Sequence, residues 1–357
     1  SEQAAQGGPK KVKLAYIGLT CEAAMFVAEE KRFFEEEGID VELVKTDWDG
    51  LRDGLGLGRF DVNYTLIMYL LKPIEQGLDV KIVGGIHKGC LRVHVPADSD
   101  VDSIEQLKGK RIGIPTMGSP PFLFASRALV AKGLDPRTDV EWIVIAPEVS
   151  GLALDNGQVD AIADSEPIGS ILAAQGKVKT IADQAADPEF RDEYCCAVVV
   201  SGAFAARDPE SAAKVTRALL KGARWVEENP AAAAMLSVEN KYVASSVELN
   251  ALAISKLNYA PGVDDCRESV SDAARDMKVA GLLNESTDPA ELAKRAWLDL
   301  EGVSDEWVES LQVEKLADER PILSGRLLIA KLLREHADLC CSGEIRDDFA
   351  FSAVGGY

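Results

Sequence analysis

The first 90 residues alternate between short β-forming runs and helical runs, and this alternation constrains the fold more than any other feature. Residues 11–19 (KVKLAYIGL) alternate in a strand-like way, and a helix is predicted from Cys21 to Gly38, with Thr20 before it. Further strands are expected in IDVELVKT, before Tyr64 and in VKIVGGIH, with helical runs between them. Strands that alternate with helices predict a mainly parallel sheet covered by helices on both faces.

A second alternating unit lies between two long apolar strands, LRVHVP (91–96) and the strand within YCCAVVVSGAF. It holds the strand KRIGIP, the small-residue loop TMGSPP and a long helix. Because both flanking strands are apolar and stand at the ends of this unit, we expect them to connect two lobes. The prediction is an α/β fold of two Rossmann-like lobes with a two-strand hinge and a cleft that closes on a ligand.

The chain divides into four predicted parts. The first residues, SEQAAQGGPKK, are small, polar and Gly-rich without an initiator Met, which is typical of a flexible tether. From Glu210 to about Leu300 the sequence is almost purely helical, and an additional helical stretch follows it. The predicted parts are the tether (1–10), lobe 1 (11–95 and 199–300), an inserted lobe 2 (96–198), and a C-terminal helical extension packing on lobe 1 (301–357).

Composition narrows the function. The chain has 39 basic and 59 acidic residues, a formal net charge of −20, so we expect neither a nucleic-acid partner nor attraction to an anionic membrane surface. No apolar run reaches the roughly 18 residues of a membrane-spanning helix. Seven cysteines include the vicinal pairs Cys195–Cys196 and Cys340–Cys341, but CxxC and HExxH motifs do not occur. With only three histidines, the sequence predicts no metal site and no cofactor.

The order and spacing of several motifs resemble a known family. From residue 11 to about 300, the chain is similar to type II periplasmic binding proteins of the nitrate/sulfonate/taurine and thiamine-precursor group. The similar segments are CEAAMFVAEEKRFFEEEGIDVELV, GRFDV, IEQGLDVKIVGG, IEQLKGKRIGIPTMGSP and GQVDAIADSEP. The resemblance implies a non-catalytic, extracytoplasmic solute-binding subunit of an ABC importer. Such a subunit is usually lipid-anchored, and its partners are a permease and an ATPase.

Candidate ligand-binding residues follow the strands. Thr20 and the first helix amides form an anion site, or Thr20 caps the helix, and one residue can do both. Glu22 would weaken anion binding if it faced the pocket and would suit an amine instead. Gly118 permits close backbone approach, Ser119 can cap the next helix and Pro120 fits its first turn; the resemblance favours ligand binding at this loop.

Three further loops carry polar side chains that either line the cleft or have ordinary structural roles. Tyr64 and Thr65 follow one strand. The carboxylates of Asp164 and Glu166 would receive an ammonium group, and His87 would neutralise an anion. The expected ligand is a sulfonate or other small anion, a zwitterion or a pyrimidine. The predicted ligand-binding residues are Thr20, Cys21, Glu22, Tyr64, Thr65, His87, Gly118, Ser119, Pro120, Asp164 and Glu166.

Two other functions stay open. Cys21 lies at a predicted helix N-terminus, where the thiol pKa is lowered, and the loop resembles that of a sulfinate desulfinase with the same fold. Such an enzyme requires a nearby histidine, and none occurs between Lys10 and Ile86. His87 would serve only if its loop reaches Cys21, so a binding protein is predicted rather than an enzyme. A sensory module is the third possibility.

Overall fold

Two β-sheets organise the chain in the computed structural model, which describes residues 11–166 and 168–316. In order across the first sheet, the strands are β11 (Asn258–Gly262), β4 (Val80–Lys88), β10 (Tyr194–Ser201), β3 (Val62–Leu66), β1 (Val12–Tyr16) and β2 (Val41–Lys45). In order across the second sheet, they are β7 (Glu141–Val144), β6 (Arg111–Ile114), β8 (Ala161–Ser165), β5 (Leu91–Pro96) and β9 (Val178–Asp183).

Helices flank both sheets. They are α1 (Ala23–Glu30), α2 (Phe33–Glu36), α3 (Trp48–Gly56), α4 (Ile67–Glu75), α5 (Pro120–Ala131), α6 (Ser150–Asp155), α7 (Ile168–Ala174), α8 (Gly202–Arg207), α9 (Pro209–Glu228), α10 (Pro230–Glu239), α11 (Val247–Ile254), α12 (Asp264–Val279), α13 (Pro289–Ala296) and α14 (Asp305–Ser310). Single 3-10 turns are at Thr20–Glu22, Ile104–Leu107 and Pro147–Val149. No helix among these described residues has the length and apolar character needed to cross a bilayer.

The two-lobed α/β architecture predicted from the sequence is confirmed, with sheets that are mixed in direction. In the first sheet, β1 runs parallel to β2 and β3, whereas β10 runs antiparallel to β3 and β4. In the second sheet, β6 runs parallel to β7 and β8, and β5 runs antiparallel to β8 and β9. The antiparallel strands β5 and β10 are the ones next to the connections between the lobes.

The strand pairing moves the predicted lobe boundaries. β5 lies between β8 and β9 and therefore belongs to the second sheet, although a boundary after residue 95 assigns it to lobe 1. β10 lies between β3 and β4 in the first sheet, although a boundary after residue 198 assigns most of it to lobe 2. Both strands are almost entirely buried. Only the pairing partners, which are distant in sequence, decide which core buries each strand. The crossovers are residues 89–90 and 184–193.

The two crossovers touch each other at a glycine. Gly89 has a φ of +61°, a backbone conformation that favours glycine, and a Cβ built there would lie 2.3 Å from the Cβ of Ala185. A larger residue at position 89 would therefore push the two crossovers apart. The close approach of the two crossovers therefore requires a glycine at position 89.

Two local predictions within lobe 1 were wrong. The helix predicted from Cys21 to Gly38 is interrupted at Arg32, which has a φ of 62° and separates α1 from α2. The region predicted to be helical from Glu210 to Leu300 contains β11, which pairs with β4 at the sheet edge. An edge strand of five residues has too short a pattern to stand out among helices.

The start of the C-terminal extension packs on lobe 1. The Asp305 carboxylate accepts hydrogen bonds from the backbone N–H groups of Val263 (2.7 Å) and Asp264 (3.0 Å). Asn229 donates to the carbonyl of Glu314 at 2.8 Å and accepts from the N–H of Leu316 at 2.8 Å. The predicted tether (1–10) and the extension beyond residue 316 lie outside the described residues.

Candidate functional site

Four cysteines and one histidine come together where the chain passes between the lobes. We call Cys21, His87, Cys90, Cys195 and Cys196 the thiol–imidazole cluster. A ring nitrogen of His87 and the Sγ atoms of Cys21 and Cys196 all lie within 4.8 Å of one another. The Sγ atoms of Cys90, Cys195 and Cys196 lie equally close together, so Cys196 belongs to both groups.

A β-bulge explains how two consecutive cysteines reach the same place. Tyr194 pairs with Lys88 and Cys196 pairs with His87, so β10 has an extra residue, Cys195, opposite β4. Consecutive side chains in a regular strand point to opposite faces, but a bulge changes the direction of a side chain. The bulge is therefore the reason that both sulfurs contact Cys90.

His87 is a buried, neutral imidazole. Its side chain is fully buried and its ring lies 5.2 Å from that of Tyr259, centroid to centroid. Neither ring nitrogen makes a hydrogen bond of normal geometry with a described residue. Burial lowers the pKa of His87 to about 4, although the backbone of Lys88 opposes this shift. An imidazole in this state offers a free lone pair at neutral pH.

The thiols of the cluster differ in acidity. A hydrogen bond from Cys196 lowers the pKa of Cys21, but burial and the nearby Glu22 carboxyl outweigh it, so the pKa of Cys21 is raised. Burial opposes ionisation of Cys195 as well, but hydrogen bonds from Cys196 and Cys90 lower the pKa of Cys195 to about 6. The thiolate predicted at Cys21 from its position before α1 is therefore disfavoured by its surroundings.

The loop before α1 has its amide groups occupied by its own chain. The Glu22 carboxylate accepts hydrogen bonds from the backbone N–H groups of Ile17 (3.0 Å), Gly18 (2.7 Å) and Leu19 (2.7 Å), and Glu22 is only 2% exposed. Burial raises the pKa of Glu22 to about 7, and the amide hydrogen bonds oppose this shift. A carboxylate of the chain itself therefore occupies the place expected for an anionic ligand.

Thr20 does not cap α1. Its Oγ1 donates a hydrogen bond to Oδ1 of Asn250 in α11 at 2.7 Å, so the hydroxyl ties the turn to another part of lobe 1. Tyr64 and Tyr259 both donate to the carbonyl oxygen of Cys21, at 2.6 and 2.8 Å. These three hydrogen bonds hold the Cys21 turn against β3, β11 and α11.

Tyr64 and Thr65 do not share a surface. They are consecutive in β3, opposite Val198 and Ala197 of β10, so their side chains point to opposite faces of the sheet. Tyr64 reaches the thiol–imidazole cluster, whereas the Thr65 hydroxyl is buried on the other face without a hydrogen-bond partner among the described residues. Of these two residues, only Tyr64 contacts the turn that carries Cys21.

The two carboxylates predicted to receive a ligand ammonium face internal partners. Asp164 lies 3.3 Å from Nε2 of His94, and Glu166 pairs with the guanidinium of Arg92. All four side chains are at most 7% exposed. A buried carboxylate that already has a cationic or imidazole partner has little to gain from a second cation.

Two buried arginines connect the lobes. Arg92 of β5 donates to the carbonyl oxygen of Lys256, in lobe 1, at 3.1 Å. Arg127 of α5 is 1% exposed and contacts Glu193, in the second crossover, and Asp276 of α12, each at 2.8 Å. The lobes are therefore held together by buried charge-assisted hydrogen bonds.

A pocket of about 610 Å³ opens between the lobes, and we call it the interlobe pocket. Residues of α3, α4 and α12 form one wall, and residues 116–119 with Phe122 and Leu123 form the other. Of the predicted ligand-binding residues, Gly118 and Ser119 line it, whereas Pro120, Thr20, Cys21 and Glu22 are not among the described lining residues. The two loops expected to face each other across one ligand therefore belong to two different places.

The charged groups of the interlobe pocket are already paired. Arg52 contacts the Asp53 carboxylate at 2.6 Å, and Lys72 pairs with Glu75. The rest of the lining includes apolar and aromatic side chains such as Met68, Tyr69, Phe122 and Leu123. Such a surface suits an organic solute with an apolar part better than a bare inorganic ion.

The fold is that of the two-lobed periplasmic binding proteins. The alkanesulfonate-binding protein SsuA from Xanthomonas axonopodis pv. citri, solved with MOPS bound, superimposes with a TM-score of 0.65 at 19% identity, over 82% of this chain and 99% of that one. The desulfurization enzyme DSZB has the same fold, with a TM-score of 0.55 at 18% identity, over 81% and 96%.

The chain belongs to the NMT1-like family, whose family model matches residues 5–239. The nitrate/nitrite binding protein NrtA of Synechococcus elongatus is 24% identical over 269 residues, 67% of this chain and 60% of the relative. The 4-amino-5-hydroxymethyl-2-methylpyrimidine phosphate synthase of Aspergillus parasiticus is 22% identical over 226 residues, 59% and 64%. The chain thus spans about 60% of the length of these two relatives.

Proposed function

We propose that this protein is a solute receptor that binds a small polar organic molecule between its lobes and delivers it to an ABC importer. The observation that carries the proposal is the interlobe pocket, because both lobes supply its walls and the pocket changes shape when the lobes move. The family and fold support a solute-binding role. The buried contacts of Arg92 and Arg127 across the lobes would stabilise the closed, loaded form.

The loop before α1, whose amide groups bind the Glu22 carboxylate, restricts which ligands are expected. Because Glu22 already accepts the N–H groups of residues 17–19, a bare anion such as nitrate would have to displace a buried carboxylate. The interlobe pocket has paired cations and apolar walls. We therefore favour an alkanesulfonate, a zwitterion or a pyrimidine over an inorganic anion.

Thermal unfolding and small-angle scattering with a small panel of solutes test this function. We expect MOPS, ethanesulfonate or 4-amino-5-hydroxymethyl-2-methylpyrimidine to raise the Tm and reduce the radius of gyration, and nitrate to do neither. A ligand present at 100 times its Kd stabilises the native state by about 2.7 kcal/mol. If no compound of the panel stabilises the protein, a transport role for these solute classes is contradicted.

A pair of tryptophan variants locates the site. Met117 is 56% exposed and lines the interlobe pocket, while Val144 is 60% exposed in β7 outside the described lining. Met117→Trp should weaken binding of the stabilising solute at least about tenfold by filling the pocket, which corresponds to about 1.4 kcal/mol. Val144→Trp should bind as the parent does. Equal affinities in the two variants would place the solute elsewhere.

The cellular setting follows from the same proposal. A receptor of this kind works outside the cytoplasmic membrane, attached by an N-terminal lipid or free, and docks on a permease that an ATPase drives. The periplasmic binding proteins among its relatives support this location. Its net charge of −20 is also consistent with a protein that does not bind nucleic acid.

A cysteine-dependent enzyme is the second candidate, and one observation favours it. A cysteine-dependent enzyme requires a histidine near Cys21, and a ring nitrogen of His87 lies within 4.8 Å of Cys21 Sγ. The raised pKa of Cys21 weighs against it, since the thiolate is the nucleophile. Release of sulfite from an aromatic sulfinate, lost in Cys21→Ser and kept in Cys266→Ser, would support the enzyme; absence of release from the parent protein would exclude this activity.

A further inference from the structure

We infer that Cys21, His87 and Cys196 form a binding site for a soft metal ion, Zn²⁺ in the first place, at the hinge end of the first sheet. The three ligand atoms come from the turn before α1, from β4 and from β10, and lie within 4.8 Å of one another. Sulfur and imidazole nitrogen are the donors that Zn²⁺ takes in proteins. This inference is independent of the proposed transport function.

The spacing of the ligand atoms is close to that of a metal site. With Zn–S bonds of about 2.3 Å, two sulfurs of a tetrahedral site lie about 3.8 Å apart. The observed upper limit of 4.8 Å therefore leaves a closure of about 1 Å or less, which small side-chain rotations can supply. The Sγ atoms of Cys90 and Cys195 also lie within 4.8 Å of that of Cys196 and offer a further sulfur ligand.

The charge of the site matches a divalent ion. Two thiolates and a neutral imidazole offset the two positive charges of the ion, and a neutral complex avoids the large cost of burying a net charge. The nearest carboxylate on the same turn, Glu22, is turned to the amides of residues 17–19. The donor set is therefore one of sulfur and nitrogen, which excludes hard ions such as Mg²⁺.

The histidine supplies independent support for a ligand. The His87 side chain is fully buried, and its ring nitrogens make no hydrogen bond of normal geometry with a described residue. A buried polar group without a partner destabilises the folded state, and metal coordination would remove that cost for one ring nitrogen. Tyr64 and Tyr259 hold the Cys21 carbonyl in place, so the turn carrying the first sulfur is already positioned.

The sequence argument against a metal site depended on short motifs. CxxC and HExxH bring ligands together within one segment, whereas here Cys21, His87 and Cys196 come from three distant segments. The bulge at Cys195 is needed as well, and no local pattern marks it. The prediction of no metal site is therefore replaced by this proposal.

Cobalt titration of the reduced, metal-free full chain tests the site. Cys340 and Cys341 lie outside the described residues, so both are replaced by serine in every sample. We expect one Co²⁺ per chain, with the sulfur-to-cobalt charge-transfer absorption and the strong visible bands of a tetrahedral site. Added Zn²⁺ should displace the cobalt, and Mg²⁺ should not.

Single substitutions assign the ligands. Loss of a residue that hydrogen-bonds to a metal ligand commonly weakens metal binding 10–100-fold. Loss of a ligand itself should cost more, so Cys21→Ser, Cys196→Ser and His87→Ala should each weaken metal binding by at least about 100-fold. Cys266→Ser is the matched control for Cys196→Ser, because Cys266 is as fully buried as Cys196 but lies in α12, outside the cluster. It should bind Co²⁺ as the parent does.

Two results would overturn the inference. One is a parent protein that gives no charge-transfer absorption with Co²⁺, and the other is a folded Cys21→Ser variant that binds with parental affinity. Circular dichroism of each metal-free variant separates lost ligation from lost folding. Cys21 is partly exposed on a turn, so its serine variant keeps the test informative if the buried Cys196→Ser does not fold.

Discussion

Replacing Arg127 with alanine is expected to lower the free energy of unfolding by about 3–5 kcal/mol, since removing one partner of a buried ion pair leaves the other charge uncompensated. The Arg127 side chain is 1% exposed, and its guanidinium contacts Glu193 and Asp276 at 2.8 Å. Burial already raises the pKa of Glu193, and Arg127 opposes that shift, so the variant leaves a carboxylate in unfavourable surroundings. Urea unfolding measures the loss.

Arg137→Ala is the matched control for this prediction. Arg137 is in the same lobe and pairs with Asp135 at 2.8 Å, but its side chain is 63% exposed. An exposed pair contributes about 0–1 kcal/mol, so the control should unfold almost as the parent does. Because Arg127 also joins α5 to α12, its loss should diminish the decrease in the radius of gyration that the ligand causes. Equal stabilities of the two variants would mean that Arg127 does not hold the lobes together.

Replacing Glu22 with alanine is expected to destabilise the protein by about 2 kcal/mol or more and to create an anion site. The change leaves the N–H groups of Ile17, Gly18 and Leu19 without their acceptor, and an unsatisfied buried donor costs about 1–3 kcal/mol. A small carboxylate in solution can fill the vacated place. Acetate should therefore raise the Tm of the variant and leave that of the parent unchanged at equal ionic strength.

Glu42→Ala serves as the control for Glu22→Ala. Glu42 lies in β2, its side chain is exposed, and its loss should change stability by less than about 0.5 kcal/mol. Chloride at the same concentration controls for general salt effects. If Glu22→Ala keeps parental stability, or if acetate stabilises both variants equally, the carboxylate of Glu22 does not stand in for an anion in this loop.

The local pattern of the sequence predicts most elements of lobe 1 but not how they are shared between sheets. The periodicity of residues 11–19 and of the helix after them depends on neighbours in the chain, and both predictions are confirmed apart from the break at Arg32. The places of β5 and β10 depend on partners far away in sequence. The local sequence of each strand does not identify those partners, so the predicted boundaries put β5 and most of β10 in the wrong lobe.

The candidate site was predictable only in part for the same reason. The sequence singles out Cys21, Tyr64 and His87, and the structure brings these three together around β3, β4 and the first turn. The sequence alone does not reveal the bulge at Cys195 or the pairing of Arg92 with Glu166, because both arise from strand pairing.

The position of Glu22 in the sequence indicates its structural role. Glu22 is the third residue of its helical turn, where a glutamate side chain commonly folds back to accept the N–H of the capping residue. The structure contains that bond, from Leu19 to Glu22 at 2.7 Å. The position of Glu22 therefore indicated a structural carboxylate rather than one that receives a ligand amine.

The unequal lengths of the two crossovers have a mechanical consequence. The first has only residues 89–90 between paired strands, whereas the second runs over residues 184–193. A short link permits rotation and almost no translation, so it acts as the pivot, while the long link lengthens or slackens as the lobes swing. Gly89 packs against Ala185 beside Cys90, so the proposed swing of the lobes would turn about a single small contact.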